Sequence, residues 1–163
     1  MNKIKTITSV IVVSLLLIAC SVGVKKDLMS GLSIKYDGFA VGNSFLVKDN
    51  QKTTDVKIKP GQDISVVFTG ITGFKEIDGK VYPGASIVVV DSKGKTVLDI
   101  ADLFSSYDST GVDTKMVQEA LSIKFTAPPT GSEKGEIYSW KSKVWDKKGK
   151  STLDCELQLE VSQ

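Results

Sequence analysis

The chain has 163 residues, 41% of them hydrophobic and 25% charged, enough for one domain with a real core and short for two. Its 21 basic residues are all lysine, and neither histidine nor arginine occurs. That excludes a Ser-His-Asp triad, a Cys-His pair, histidine-ligated metal and any planar bidentate clamp on phosphate or carboxylate.

In chain order, Lys3 and Lys5 lead into Ile7 to Ala19, a stretch interrupted only by Thr8, Ser9 and Ser14, and Ala19 precedes Cys20. A charged start, an apolar run and a small residue at the cut describe a secretory signal over residues 1–19, expected to be helical. The run is shorter than the roughly 20 residues a membrane-spanning helix needs. All 19 acidic residues follow Cys20, so the mature chain sets nineteen lysines against nineteen acids. Those charges are well mixed, with no basic stripe, which argues against a nucleic-acid partner.

The residues Leu17-Ile18-Ala19-Cys20 resemble the lipobox of bacterial lipoproteins. The resemblance implies cleavage before Cys20, a diacylglycerol on its thiol and acylation of the new amino terminus. It places the protein on the extracytoplasmic side of the cell envelope, with the membrane as partner. Ser21 after the cysteine favours the outer membrane if the source is Gram-negative. Residues 20–31 read as a lipidated tether. The second cysteine lies in Leu153-Asp-Cys155-Glu-Leu157-Gln-Leu159, where apolar and polar residues alternate, which predicts a buried strand position.

Residues 32–163 carry short strand patterns separated by turns. Leu32 to Tyr36, Val56 to Ile58 and Tyr138 to Val144 alternate with period two, and Ile64 to Phe68 follows the Pro60-Gly61 turn. Ile87 to Val90 is wholly apolar, predicting a strand covered on both faces. Asp91 to Gly94 turns the chain into Thr96 to Ile100, and Ile123 to Phe125 stops at Pro128-Pro129. One segment differs: Met116, Val117, Ala120 and Leu121 have helical spacing behind Asp113 as N-cap, predicting one or two helical turns near 102–121. The expected fold is an all-β, antiparallel two-sheet β-sandwich of about 7–9 strands.

Gly135 to Gly149, with Tyr138 entering a strand and Asp146 to Gly149 as a turn, resembles the last hairpin of immunoglobulin-like extracellular domains. The resemblance implies an immunoglobulin-like sandwich whose tyrosine closes a corner. The Cys–Trp–Cys signature of true immunoglobulin domains is missing.

No nucleophile elbow or phosphate-cradling loop occurs, so no catalytic residue and no cofactor are assigned. A carboxylate pair remains the one enzymatic route, with no spacing that identifies it. Asp99, Asp102, Asp108 and Asp113 are weak calcium candidates, better explained as caps and turns because they do not follow the EF-hand spacing. Phe74, Tyr82 and Trp145 are aromatics that alternation does not bury, and they are candidates for a ligand-binding surface or for plugs at the sandwich ends. The function expected is a non-catalytic binding or interaction module with an envelope protein or a glycan as partner. The alternative is a structural accessory subunit of an envelope complex.

Overall fold

A computed structural model describes residues 22–162; the signal segment 1–19 and Cys20 lie outside the described residues. Thirteen strands occur among them: β1 (Val22–Lys26), β2 (Ser33–Asp37), β3 (Asn43–Lys48), β4 (Gln51–Thr53), β5 (Lys57–Ile58), β6 (Asp63–Thr69), β7 (Lys80–Val81), β8 (Pro83–Val90), β9 (Thr96–Ile100), β10 (Val112–Asp113), β11 (Leu121–Thr126), β12 (Ile137–Asp146) and β13 (Thr152–Val161). The count exceeds 7–9 because β4, β5, β7 and β10 are two or three residues long, too short for any alternation to register.

The strands form two sheets and a ribbon. The larger sheet runs β1-β2-β13-β12-β8-β9, with β5 beside β13; the smaller runs β11-β6-β3-β4; β7 and β10 pair alone. Every pairing between strands is antiparallel except the two-residue β5–β13 match. Alternation then decides burial. Tyr138, Trp140 and Val144 of β12 and Leu153, Cys155, Leu157 and Leu159 of β13 face inward, against Ile64, Val66 and Phe68 of β6 and Ile123 and Phe125 of β11. At the centre Phe125 meets Trp140 and Tyr138 edge-on, with ring centroids 6.0 and 5.9 Å apart.

The turns follow the local chemistry. Asp91 Oδ1 accepts from the backbone N–H of Lys93 and Lys95, and Asp146 Oδ1 accepts from Lys148, so each aspartate closes its own hairpin. Asp146 is itself buried, and its other oxygen accepts from Lys75 N at 2.6 Å, tying the 70–79 loop to the last hairpin. The Tyr138 hydroxyl bonds the Ser132 hydroxyl, at 2.5 Å, and not the backbone group that a tyrosine corner uses. In the 102–121 segment a 3-10 turn at Ser105–Tyr107 precedes helix α1 (Thr114–Glu119), whose N-cap Asp113 accepts from Lys115 N.

Two expectations need correction. The segment read as a tether is folded from Val22 onward: β1 pairs with β2 along five residues, from Val22 opposite Asp37 to Lys26 opposite Ser33. Its turn is held by Asp27, which accepts from Met29 N through its side chain and from Gly31 N through its carbonyl. Lys25 Nζ then reaches across to the Val41 and Gly42 carbonyls. These contacts hold a segment whose composition alone reads as loop. Second, Ile87 to Val90 is not covered on both faces. Ile87 and Val89 are buried, whereas Val88 and Val90 stand half-exposed on the outer side.

Candidate functional site

The outer face of the large sheet carries two adjoining polar concavities. Pairing places Lys35 of β2 beside Asp154 of β13, and Asp154 beside Lys143 of β12. The next row sets Ser33 against Glu156, Glu156 against Lys141, and Lys141 against Val88. On strands about 4.8 Å apart, the register therefore alternates lysines and acids across the face. A groove of about 330 Å³ runs over these rows. A second concavity of about 690 Å³ adjoins it, shares Ser33, Lys141 and Glu156, and is walled by Leu28 and Met29 of the β1–β2 turn.

The five ion pairs of the described residues all lie away from this groove. Its lysines and acids therefore keep their donors and acceptors open to solvent. Lacking arginine, the face offers point charges and hydroxyls, suited to a polyhydroxylated or zwitterionic ligand more than to a planar anion.

Trp145 lies on this same face, in the row beyond Lys143, opposite Gly84 of β8. Its indole lies flat on Gly84, where an added Cβ would come within 2.1 Å of the ring. Any side chain at position 84 would lift the indole off the sheet. Tyr82 and Phe74 do not join it. The Tyr82 ring packs on Gly111 with the Lys148 ammonium 5.0 Å above it, and Phe74 packs at a tilt against buried Phe39, with ring centroids 4.5 Å apart. Of the three candidate aromatics, Trp145 alone lies on the face that carries the groove, one row beyond its lining residues.

The four candidate calcium ligands do not converge. Asp99 faces out from β9 opposite Val88, and Asp113 caps α1. Asp102 and Asp108 do approach each other, but across the Lys147 ammonium, which stands 2.6 Å from Asp102 and also bonds Asp108. A lysine already neutralises the one place where two of these acids meet.

This cluster is a structural brace. Burial raises the Asp102 carboxyl, but Lys147 and the backbone N–H groups of Phe104 and Ala85 outweigh it, leaving its pKa below the ordinary 3.8. Burial likewise works against the Lys147 charge, and the two aspartates outweigh it, leaving that pKa above 10.5. A depressed carboxylate contributes stability above its unfolded value and loses it as pH falls through the folded value. A raised lysine contributes below its unfolded value and loses it as pH rises through the folded one. Both contributions are in force between about pH 4 and 10. Lys147→Met should lower stability at pH 7 by about 1–3 kcal/mol. Denaturant melts of both proteins should show the gap closing as pH drops below 4; a gap that persisted in acid would assign the effect to packing. Asp108, mostly in solvent, adds little.

Cys155 is buried and free, and burial pushes its thiol up to about 12 against a weaker pull from the Ser142 hydroxyl. It is a core residue and not a nucleophile. No helix among the described residues is long and apolar enough to cross a membrane.

Fold and site together define a two-sheet β-sandwich with an open polar groove on the outer face of its larger sheet. No family model and no curated protein matches the chain. Among solved structures it is similar to the C-terminal domain of wzt, at 12% identity and a TM-score of 0.49, over 77% of this chain and 74% of that one. A likeness that distant assigns no ligand.

The period-two alternation of Tyr138 to Val144 is enough to put Lys141 and Lys143 on the outer side of their strand, but not the acids and lysines beside them. The missing information was strand order. Nothing in the sequence says that residues 33–37 lie beside 152–156, and that adjacency assembles the groove.

Proposed function

We propose that the chain is a lipid-anchored module of the cell envelope that binds its ligand, without catalysis, in the groove on the outer face of the large sheet. The observation that carries this reading is the set of unpaired charges along the groove, Lys35, Lys141 and Lys143 interleaved with Asp154 and Glu156. Left unpaired on an exposed sheet, such groups are available to hydrogen-bond the hydroxyls of an extended polar ligand. Trp145, flat on Gly84 one row beyond the groove, supplies an apolar ring face of the kind that packs on sugar rings. A glycan of the envelope fits this chemistry best.

The test is a glycan array probed with the lipidated protein and with a Lys141→Gln, Lys143→Gln double variant. Both lysines are exposed, so the double variant should fold with stability within about 1 kcal/mol of wild type. Selective glycan binding by the wild type that the variant loses is the expected result. A stoichiometric envelope protein recovered equally by both forms from solubilised membranes, with no glycan retained, would assign the accessory-subunit role instead.

A further inference from the structure

Seven large hydrophobic side chains stand exposed among the described residues, and four of them belong to one hairpin: Val22, Val24, Leu28 and Met29. They share a side. Val22 and Val24 lie opposite Asp37 and Lys35, which puts both on the outer face of the sheet. Leu28 and Met29, 88% and 79% exposed at the hairpin tip, rim the concavity on that same face. The hairpin is not a frayed end, because five register pairs, the Asp27 turn and the Lys25 contacts to Val41 and Gly42 hold it. A firmly held element that shows this much apolar surface to water calls for a covering surface.

The covalent distance says which. Cys20 lies two residues before Val22, and two residues of extended chain span about 7 Å at most. A lipid on Cys20 therefore brings β1 to the bilayer with no intervening spacer. If β1 lay along the membrane, Val24 and the tip would reach the lipid as well, with Lys26, exposed on the same side, at the headgroups.

We propose that the β1–β2 hairpin is a membrane-resting element whose apolar edge, Val22, Val24, Leu28 and Met29, sits in the interfacial layer of the bilayer that holds Cys20. This rests on the lipid-anchor reading above. One acyl-linked residue would then fix not just the location of the domain but its orientation, with the groove opening alongside the membrane surface.

Single-cysteine spin labels on the full lipidated protein, reconstituted into vesicles, test the idea. Cys155 is buried and adds no background label. Leu28→Cys and Met29→Cys are compared with Met116→Cys, on α1, which packs on the smaller-sheet side. Labels at 28 and 29 should collide preferentially with lipid-soluble oxygen, and the label at 116 with an aqueous nickel chelate, so that the ratio inverts between them. Nickel preference at all three positions in protein that floats with the vesicles would overturn the proposal and leave the anchor standing. Shielding of 28 and 29 from both reagents would overturn it in favour of a protein interface. Protein that failed to float would remove the anchor itself, and the proposal with it.

Discussion

Trp140→Ala is expected to destabilise the domain by about 3–5 kcal/mol, a large part of the roughly 5–15 kcal/mol that holds a domain of this size together. Trp140 is 1% exposed at the middle of β12, between β13 and β8, and packs edge-on against Phe125 from the opposite sheet. Its neighbours on either side belong to strands fixed by long ladders, so they cannot close over the void. The indole N–H has no hydrogen-bond partner among the described groups, so its burial is a cost that the ring's packing already offsets. Trp140→Phe should therefore cost well under half as much, since it loses volume but also removes that unpaired donor. Equilibrium denaturation followed by Trp145 fluorescence measures both, because the remaining tryptophan lies on the outer face. Equal losses for alanine and phenylalanine would mean that the site depends on the indole's shape and not on buried volume.

The long strands were legible because each satisfies one rule throughout. In Tyr138 to Val144 and Leu153 to Leu159, alternate side chains are apolar save Ser142, and the observed burial follows that alternation residue for residue. Asp113 was legible for a similar reason, because capping is a contact between residues two positions apart. What could not be read were features made by pairing across the sheet. Val22-Gly-Val24 is too short to announce a strand. It becomes one because Gly23 lets the Tyr36 ring lie flat on it and because Lys25 finds two carbonyls in the loop before β3. The aspartates of the 99–113 segment show the converse. In sequence they cluster, yet Lys147, some forty residues away, decides what two of them do. The groove belongs with these: each of its residues is an ordinary outward-facing strand position, and strand order alone brings them together.

Growth with a labelled fatty acid should put covalent label on the wild-type chain and none on Cys20→Ala, the all-or-none result among these predictions. The chemistry narrows the label to one residue. The second thiol, Cys155, is buried on the inner face of β13 and held at a pKa of about 12, so at neutral pH it is neither accessible nor a thiolate. Alanine at position 20 leaves every described contact untouched, because β1 begins at Val22. Loss of label thus cannot be blamed on misfolding, and melting of the soluble domain should be unchanged. Label persisting on Cys20→Ala, or absent from the wild type, would sink the anchor. The number of chains attached matters as much as their presence. A single acyl chain gives an affinity near 10⁴ M⁻¹, weak enough to leave the membrane readily, whereas two or more hold a protein firmly. With the apolar edge of the β1–β2 hairpin adding its own burial, even a singly acylated form should stay bound more tightly than that figure. The membrane-bound fraction of such a form, compared between wild type and Leu28→Ser, would separate what the lipid holds from what the hairpin holds.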